Sequence, residues 1–443
     1  MKATALAGRT IVCECGRTHR IDPREVLYAD DAISSLPALC QRYCPSRRAA
    51  VLSDARTRVA AGSAVAEALR AAGWEVREIP IRDRPEGESP VCDEATKDAI
   101  ARDLGPALAG GSAEFIVSVG AGVVSDLGKW IAFERDLPAV TFGTAASMNG
   151  YAAANVASAK DGVKIIVRAR PPAAVASSPA VLLAAPKEMT ASGLGDLLAK
   201  SVSSADWRLN HLVFGDYYCA RSVGLIADIE PLYLEDPRGV RDGSPTAFEA
   251  MFDALLLTGI AMTMAESSDP ASGGEHLISH TLDMTAMAAG RKHDLHGRQV
   301  GVGTVLASEL YRRVLAIESP RFRIPEAKAD ESFWGPISEA VGRQYLQKPA
   351  RWIAAAEKLS RPSAWDDLRR EIAPMCRAPE VIRDCLREAG AAWRAEDIGT
   401  SREHLLACLL HASQMRARFT VLDLAFMLGI LPEAGKEVVE RWA

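Results

Sequence analysis

Four of the eight histidines of this chain lie in one short segment, PASGGEHLISHTLDMTAMAAGRKHDLHGRQVGVG. His276 and His280 are four residues apart, so on an α-helix of about 3.6 residues per turn they share one face. His296 is followed by Gly297, whose missing side chain lets another group approach the imidazole closely. Imidazoles gathered in one short segment are candidate metal ligands, and we interpret the segment as part of a metal site.

Two imidazoles do not complete a catalytic metal site, where a cation usually has three protein ligands and one open position. Asp196, in GLGDLLAK, is the best candidate for the third ligand because an acid stands there in an otherwise apolar helix start. A lone histidine is more often a surface or satisfied core residue. The clustering favours the ligand interpretation, except for His293, whose context RKHD is charged and typical of a loop.

The composition is that of an ordinary globular protein of 443 residues, with 48% apolar and 25% charged residues. A net charge of -5 argues against a nucleic-acid partner, which would need a basic surface. The nine cysteines are odd in number and scattered, and MKATALAGRT lacks the apolar core of a signal peptide, so we expect a cytoplasmic protein. The most apolar helix, 247–265, carries two acids and is predicted to be buried rather than to span a membrane.

Cys13, Cys15 and His19, in CECGRTHR, could form part of a small metal site. The segment supplies no fourth ligand, however, and C-x-C-x3-H is not a common zinc spacing. An N-terminal hairpin with reduced thiols is the favoured interpretation.

Residues 49–185 must position any nucleotide-binding residues, because short β-rich runs alternate there with helical stretches, as in a parallel α/β sheet. The runs AAVLSD, WEVREIPI, EFIVSVGAG and PAVTFGTAAS are predicted strands, and ligands bind such sheets at the carboxyl ends of the strands. GVKIIVRAR and AAVASSPAVLLAA are predicted to be edge strands that close this domain.

The third predicted strand runs directly into a turn of small residues followed by a helix. Backbone N–H groups at such a turn can face a pyrophosphate, with the helix dipole adding attraction. The sequence lacks the third glycine of the Rossmann fingerprint, since Asp126 and Lys129 occupy the first helical turn, and a plain strand-to-helix turn is an equal alternative. The candidate cofactor-binding residues here are Gly120, Gly122, Val123, Val124, Ser125 and Asp126.

The fourth predicted strand ends in a run of hydroxyl-bearing and small residues that could bind phosphate or ribose, although turns use the same residues. The candidates there are Thr144, Ala145, Ala146 and Ser147. Asp54, at the end of the first predicted strand, could accept a hydrogen bond from a ribose hydroxyl or could cap the next helix, and the sequence leaves both open.

The hydrophobic period becomes helical near residue 187 and stays so to the end of the chain. We therefore predict an α/β dinucleotide-binding domain, residues 1–186, followed by an all-α domain that carries metal and substrate, residues 187–443. The segment MRARFTVLDLAFMLGILPE is predicted to be a buried helical hairpin without chemistry.

The order of these motifs resembles one known family. Strand–GxGxxxDxxK–helix, TxxS, GD-x-LAK, SG-x-EH-x3-H and HG-x-QVG follow one another as in the NAD(P)-dependent sn-glycerol-1-phosphate dehydrogenases, which are related to iron-containing alcohol dehydrogenases, glycerol dehydrogenase and 3-dehydroquinate synthase. CECGRTH and RARFTVLDLA resemble the bacterial branch. Each motif alone is unspecific, whereas their order and spacing over nearly the whole chain are specific.

The resemblance implies a dehydroquinate synthase-like fold and specific roles for the candidate residues. Asp196, His276 and His296 would bind one divalent metal, while His280 and Asn149 would contact substrate. The ligand set suits zinc first, with nickel and iron also compatible. The two loops described above would bind NAD or NADP. We expect a homo-oligomer, a dimer or larger, with neither membrane nor nucleic-acid partners.

Several residues depart from the family pattern. Asn149 stands where an aspartate is expected, Ala153 replaces a serine and Gly143 replaces a proline. Asp269 stands where the family has an arginine, so a substrate phosphate would be repelled unless another cation offsets that charge.

The function implied is a metal-dependent dehydrogenase that interconverts dihydroxyacetone phosphate and sn-glycerol-1-phosphate or a related polyol. A sugar-phosphate cyclase that uses NAD only transiently is an alternative, although such enzymes generally present glutamate in place of Asp196. A non-catalytic paralogue is a further alternative, favoured by the changes at Asn149 and Asp269 and opposed by the intact ligand set.

Overall fold

The computed structural model describes residues 2–160 and 163–443, and its centre is a six-stranded sheet in which every strand pair is parallel. Two further pairs of strands lie outside this sheet. The strands are β1 (Thr10–Val12), β2 (Thr18–Arg20), β3 (Glu25–Tyr28), β4 (Arg48–Asp54), β5 (Glu75–Ile81), β6 (Phe115–Val119), β7 (Ala139–Phe142), β8 (Asn155–Lys160), β9 (Val163–Arg168) and β10 (Ala174–Ser177).

The strand order β3-β10-β7-β6-β4-β5 brings the carboxyl ends of β4, β6 and β7 side by side. Every residue of β6 and β7 is buried, which explains their continuous apolar sequence, because a parallel sheet is covered on both faces. Val119 pairs with Phe142, so the loops that follow β6 and β7 start next to each other. The predicted parallel α/β sheet is confirmed, as are its four predicted strands, which correspond to β4, β5, β6 and β7.

The edge-strand prediction is wrong for both segments. β10 lies inside the sheet between β3 and β7, because its fully buried residues favour a central position. β9 pairs with β8 in a separate two-stranded sheet, and the first residue of that predicted segment, Gly162, lies outside the described residues. The edges are instead formed by β5 and by β3, a short half-buried strand whose four residues carry no clear alternation.

Helices of this first part of the chain cover the sheet and lead from one strand to the next. They are α1 (Ala3–Leu6), α2 (Ala32–Gln41), α3 (Ala55–Thr57), α4 (Ser63–Ala71), α5 (Glu94–Ala109), α6 (Val123–Glu134) and α7 (Pro179–Leu183), with a π-helical stretch at Arg58–Gly62 and 3-10 turns at Pro85–Gly87 and Gly150–Ala152. Two apolar clusters pack on the sheet, one including Leu36, Val65 and Phe142 and the other including Leu104, Leu127 and Ile131.

Beyond β10 the described chain consists of helices and turns, as predicted. The helices are α8 (Lys187–Leu198), α9 (Lys200–Phe214), α10 (Ala220–Val223), α11 (Glu230–Leu234), α12 (Pro237–Asp242), α13 (Pro245–Ala265), α14 (Gly274–Ala288), α15 (His296–Leu315), α16 (Glu331–Trp334), α17 (Ser338–Tyr345), α18 (Lys348–Leu359), α19 (Ala364–Ile372), α20 (Pro379–Glu388), α21 (Arg402–His411), α22 (Val421–Met427) and α23 (Gly435–Trp442), with 3-10 turns at Gly224–Ile226, Gly335–Ile337, Ala373–Met375, Ala395–Ile398 and Ala412–Met415.

The chain forms two compact units whose segments interleave. The first comprises the chain up to Lys160 together with Lys164–Gly193 and Gly224–Glu266, and the second is built mainly from Leu194–Val223 and Ser267–Ala443. This division differs from the predicted single boundary between residues 186 and 187. The sequence period changes where helices begin, whereas helices α11 to α13 pack with the sheet that precedes them.

Helix α13 is long and apolar enough to cross a membrane by length and composition, and 89% of its most apolar window is buried inside the protein. Its acid Asp253 is also used internally, since the backbone N–H of Ala3 donates to Asp253 Oδ1 at 2.8 Å. The prediction that this helix is buried in the core is confirmed.

The predicted terminal hairpin is wrong. Only α22 is helical in the segment MRARFTVLDLAFMLGILPE, and Arg416–Thr420 before it is irregular chain that carries two arginines. The apolar pattern of the segment correctly indicated that the segment is buried. It gave no indication of a role for the two arginines.

Candidate metal centre and nucleotide-binding loops

Three helices of the second unit carry the predicted metal ligands. Asp196 lies in the last turn of α8, His276 lies in the first turn of α14, and His296 is the first residue of α15. Asp196 and His276 are buried, and His296 is half-buried. Neighbouring helix ends therefore present one carboxylate and two imidazoles, although these residues are 20 or more positions apart in sequence.

The ligand atoms of the three side chains all lie within 4.8 Å of one another. Asp196 Oδ1 is 3.4 Å from His276 Nε2, and the rings of His276 and His296 have their centroids 5.1 Å apart. One cation can bridge donor atoms at this spacing, because metal–nitrogen and metal–oxygen bonds are about 2.0–2.2 Å long.

Outer hydrogen bonds fix the orientation of both imidazoles. His276 Nδ1 lies 2.7 Å from Glu275 Oε1, which also accepts a hydrogen bond from the backbone N–H of Gly273. His296 Nδ1 lies 3.3 Å from Ser279 Oγ. A metal-binding histidine usually engages a carboxylate or hydroxyl through its second nitrogen in this way, and Nε2 is then the metal-binding atom.

The electrostatics of the centre favour a cation. Burial alone would lower the pKa of His276, but hydrogen bonds to Asp196 and Glu275 outweigh burial and raise it to about 9. The same carboxylates stabilise a divalent metal, which replaces the proton. The donor set of one carboxylate and two oriented imidazoles therefore fits zinc, nickel or iron, with a position left for another ligand.

Glycines let the three helices approach closely enough to form this centre. A Cβ at Gly195 would lie 2.0 Å from the carbonyl oxygen of Gly297, and a Cβ at Gly303 would lie 2.6 Å from that of Glu275. The group expected to approach His296 at Gly297 is thus the helix turn that carries Asp196.

Substitution of Glu275 by glutamine should weaken metal binding by about 10- to 100-fold, because the amide no longer holds the His276 ring with a negative charge. Competition with a chelator measures this affinity. Glu309→Gln is the matched control, since Glu309 is a buried acid of α15 that pairs with Arg312 and Arg313. Equal affinities in both variants at unchanged thermal stability would contradict the orienting role of Glu275.

His280 lies beside the centre and His293 does not join it. The His280 ring stacks on His296 with centroids 5.4 Å apart and stands 5.7 Å from His276. His293 Nδ1 lies 3.1 Å from Asp283 Oδ1, and His293 is not among the clustered ligands. The sequence argument that separated His293 from the other histidines agrees with this arrangement.

Sequence reasoning missed Asp206, which links the helices around the centre. Its Oδ2 accepts from the N–H of Gly274 at 2.7 Å, and its Oδ1 accepts from the N–H of Val421 at 2.8 Å and from the hydroxyl of Tyr311. Burial, with Glu275 nearby, raises the pKa of Asp206 to about 7. The only sequence signal for Asp206 was that it is an acid on the buried face of α9. The sequence does not show which helix ends it binds.

Sequence reasoning also missed two arginines near Asp269. Arg418 Nε lies 2.9 Å from Asp269 Oδ1, and Arg418 also donates to Ser268 Oγ and to the carbonyl of Ser272, just before α14. Arg416 Nη2 is buried, and no described group accepts a hydrogen bond from it. Burial and the neighbouring Arg418 lower the pKa of Arg416 to about 10, with Asp269 opposing the shift.

These charges resolve the apparent repulsion at Asp269. Two guanidinium groups accompany one carboxylate, so the group carries one net positive charge at neutral pH. The cation that a substrate phosphate would require beside Asp269 is therefore present, in a segment that the sequence pattern identified only as apolar core.

In the first unit, the loop between β6 and α6 has the geometry of an anion site. Gly122 has φ +44°, a backbone conformation that favours glycine, and α6 starts at the next residue. A Cβ at Gly120 would lie 2.5 Å from the Val124 side chain, so only glycine lets the turn close so tightly. Val123 and Val124 open the helix, and Ser125 follows them fully buried in its first turn, where backbone N–H groups and the helix dipole attract anions.

Asp126 and Lys129 form an internal ion pair with a separation of 2.8 Å. Lys129 Nζ donates to the carbonyls of Gly150 and Asn155, and Asp126 Oδ2 accepts from the N–H of Ala157. The pair thus holds the chain after β7 against α6, which explains why acid and base stand where a Rossmann fingerprint would have small residues. A cofactor contact by Asp126 stays a prediction.

The loop after β7 is fixed by hydrogen bonds to its backbone carbonyls. Tyr151 donates to the carbonyl of Ala145 at 2.7 Å, and Ser192 donates to that of Ser147 at 3.2 Å. Thr144 and Ser147 are buried, and a Cβ at Gly193 would lie 2.0 Å from the Ala146 carbonyl oxygen. The rigid loop keeps its hydroxyls beside the anion-site loop, because β6 and β7 are neighbours.

Asn149 is buried just beyond this loop, where it precedes the 3-10 turn Gly150–Ala152. A Cβ at Gly259 of α13 would lie 2.6 Å from the carbonyl oxygen of Asn149, so the backbone around it is closely packed. The structure therefore holds Asn149 in place, and its contact with substrate stays a prediction.

Asp54 caps α3. Its Oδ1 accepts from the N–H groups of Arg56 and Thr57 at 2.9 and 2.7 Å, while its Oδ2 lies 3.3 Å from the Arg56 guanidinium. Of the two alternatives for this residue, the capping one is confirmed, and contact with a ribose stays a prediction.

Comparisons with known proteins agree with this geometry. Residues 27–186 match the family model described as iron-containing alcohol dehydrogenase. The chain is 33% identical over 290 residues to glycerol-1-phosphate dehydrogenase (NAD(P)+) of Thermococcus kodakarensis, covering 65% of this chain and 78% of that protein. It is 26% identical to the protein of the same name from Bacillus licheniformis over 95% of this chain and 93% of that protein.

Solved structures show the same fold. A probable glycerol dehydrogenase from Sinorhizobium meliloti aligns with a TM-score of 0.58 at 18% identity, over 93% of this chain and 97% of that one. Glycerol dehydrogenase from Schizosaccharomyces pombe aligns with a TM-score of 0.60 at 15% identity, over 94% and 90% of the respective chains. The predicted architecture, a parallel α/β sheet followed by helices, is confirmed.

Proposed function

Because the chain belongs to the glycerol-1-phosphate dehydrogenase family, we propose that it is a metal-dependent, NAD(P)-linked dehydrogenase that interconverts dihydroxyacetone phosphate and sn-glycerol-1-phosphate. The observation that carries this proposal is the group formed by Asp196, His276 and His296, whose ligand atoms lie within 4.8 Å of one another. A non-catalytic relative would have no need to preserve a buried cluster of this cost.

Asp196, His276 and His296 hold the metal, and Glu275 and Ser279 orient the two imidazoles. When bound, a divalent cation supplies Lewis-acid polarisation of the substrate oxygen. Asp206 keeps the start of α14 in place through Gly274, so His276 faces Asp196 without rearrangement.

His280 is the group that holds the proton exchanged with the substrate oxygen. It lies one helical turn after His276, 6% exposed and stacked on His296, which places an imidazole beside the metal ligands without making it one of them. An imidazole exchanges protons near neutral pH. Asn149 offers an amide to a substrate hydroxyl and, unlike the aspartate of the family pattern, can donate as well as accept.

The loops after β6 and β7 bind the dinucleotide. NAD(P), when bound, supplies or accepts the hydride. Backbone N–H groups at Val123 and Ser125 bind its pyrophosphate, whereas the N–H of Val124 donates to the carbonyl of Ala121 and closes the turn, and Thr144 and Ser147 offer hydroxyls. Asp54 lies at the end of the adjacent strand and accepts from a ribose hydroxyl, with Arg56 beside it to tolerate the extra phosphate of NADP.

A cation of the second unit supports a phosphorylated substrate. Arg418 neutralises Asp269, which leaves the half-buried Arg416, with its buried Nη2, as a charge that an anion would satisfy. A phosphate group suits it, since guanidinium groups bind phosphate with two parallel hydrogen bonds. Arg416 thus takes the role that an arginine at position 269 would have.

Turnover of dihydroxyacetone phosphate and of dihydroxyacetone, followed by the absorbance of NADH or NADPH, tests the proposal. Net oxidation of the cofactor with the phosphorylated ketone is expected, whereas a cyclase would give none. Arg416→Met should lower kcat/KM for dihydroxyacetone phosphate at least about 30-fold, from a loss of roughly 2 kcal/mol or more, and leave dihydroxyacetone nearly unaffected. Equal losses with both ketones would contradict the role of Arg416.

We also propose a cytoplasmic, homo-oligomeric enzyme. The scattered cysteines support the location. Cell fractionation and light scattering of the purified protein test these two points separately.

A further inference from the structure

The N-terminal hairpin contains a cluster that the dehydrogenase function does not use. β1 and β2 pair antiparallel, with Ile11 opposite His19, and the chain between them makes a tight turn. Cys13 donates its N–H to the carbonyl of Arg17 at 3.0 Å and accepts from the N–H of Gly16 at 3.0 Å. Gly16 has φ +84°, so the turn needs a glycine at this position.

This turn brings two thiols and an imidazole together. Cys15 Sγ lies 3.3 Å from His19 Nε2, and the ligand atoms of Cys13, Cys15 and His19 are all within 4.8 Å of one another. Cys13 and His19 are buried, and Cys15 is half-buried. In tetrahedral zinc sites, bonds of about 2.3 Å to sulfur and about 2.0 Å to nitrogen place neighbouring ligand atoms roughly 3.5–3.8 Å apart. The Cys15–His19 distance of 3.3 Å is close to this spacing, and the other ligand atoms lie within 4.8 Å of one another.

We propose that Cys13, Cys15 and His19 bind a structural zinc ion. A hydrogen bond between thiol and imidazole would explain the approach of Cys15 to His19, but it gives no reason for the second thiol to turn towards the same point. Two thiolates and a neutral imidazole carry two negative charges, which Zn²⁺ neutralises. The three donors leave one tetrahedral position for a donor outside the hairpin.

A metal would give the hairpin a stability that its length cannot provide. β1 and β2 have three residues each, and an isolated two-stranded hairpin is marginally stable at best. Val12 is exposed, which shows that side-chain packing contributes little to the stability of the hairpin on that side. Zinc binding adds its own free energy to the folded state. The site is therefore structural, and it is independent of the proposed dehydrogenase activity.

Cobalt titration distinguishes the two metal sites, because the hairpin site offers thiolates and the Asp196, His276 and His296 centre offers none. The full-length Asp196→Ala variant, stripped of metal under reducing conditions, should bind one equivalent of Co²⁺ with a strong near-ultraviolet thiolate-to-cobalt charge-transfer band. Zn²⁺ should displace the cobalt and abolish the band. An Asp–His–His centre cannot produce this band, so the result does not depend on the catalytic assignment. Absence of the band in this variant would overturn the proposal.

Cys15→Ser in the same background should weaken the band, because one thiolate ligand is lost, and Cys92→Ser is the matched control, because it also removes one half-buried thiol of the first unit. Circular dichroism checks that both variants are folded. Retention of the full band in Cys15→Ser would refute the ligand assignment. If Cys15→Ser does not fold, the titration of the parent variant still decides whether the thiolate site exists.

Discussion

Asp196→Ala is expected to abolish the divalent metal held at the Asp196, His276 and His296 centre and to lower kcat/KM by about three orders of magnitude or more, since that metal supplies several kcal/mol of transition-state stabilisation. The carboxylate is the only anionic member of the clustered ligands Asp196, His276 and His296. Without it, only the two imidazoles of the cluster remain. Glu275 stays hydrogen-bonded to Nδ1 on the far side of the His276 ring. Metal analysis after dialysis and NAD(P)H turnover measure both effects.

Glu188→Ala is the matched control for this experiment. Glu188 is an exposed acid on the same helix α8, so its loss changes the charge of the helix equally and leaves the metal centre intact. It should retain metal and activity. An Asp196→Ala protein that keeps both stoichiometric active-site metal and normal turnover would exclude the ligand assignment and, with it, the proposed mechanism.

The sequence predicts the sheet well where burial is continuous. β4, β6 and β7 are mainly apolar, and the residues that follow their carboxyl ends are mostly small or polar, so both the strands and the loops after them can be inferred. It fails for the position of β10. A fully buried strand of four residues, AVAS, has no feature that distinguishes the centre of a sheet from its edge.

The cluster of candidate metal ligands can be found from sequence because histidine is rare and its spacing is informative. His276 and His280 share a helix face, and Asp196 is an acid in apolar surroundings. The groups that orient them are less visible. Asp206 serves Gly274 and Val421, which are 68 and 215 residues away, and no local pattern reports partners at that distance.

The compensation between Asp269 and the arginines is also non-local. Considered alone, Asp269 reverses the charge of the arginine that the family pattern has at this position, and this reversal argues against a phosphorylated substrate. Arg418 lies 149 positions further along and pairs with it, and Arg416 adds a second cation, whose buried Nη2 has no described hydrogen-bond acceptor. A departure from a family pattern at one residue therefore predicts a change of function only when the residues that contact it in the folded protein are also known.

A buried ion pair near the end of the chain stabilises the framework of the metal centre. Lys348 Nζ lies 2.7 and 2.8 Å from the two oxygens of Asp423, and both side chains are 1% exposed or less. Asp423 also accepts from the indole of Trp352 and from the N–H of Thr420, which begins α22. Burial lowers the pKa of Lys348, against the opposing charge of Asp423.

Lys348→Met should destabilise the protein by about 3–5 kcal/mol, because it leaves Asp423 as a buried carboxylate without its counter-ion. Chemical denaturation followed by tryptophan fluorescence measures the loss. Lys358→Met, on the exposed side of the same helix α18, should change stability by no more than about 0.5 kcal/mol. The Lys348→Met/Asp423→Asn double variant should recover part of the loss, and its failure to do so would show that the pair itself is not the cause.

The same substitution should also weaken metal retention through a defined series of contacts. Asp423 fixes Thr420 at the start of α22, the next residue Val421 donates to Asp206, and Asp206 holds Gly274 at the start of the helix that carries His276. Loosening α22 therefore loosens one metal ligand. We expect Lys348→Met to release metal to a chelator faster than Lys358→Met well below its unfolding midpoint. Equal release rates would show that α22 supports the stability of the unit without positioning its metal centre.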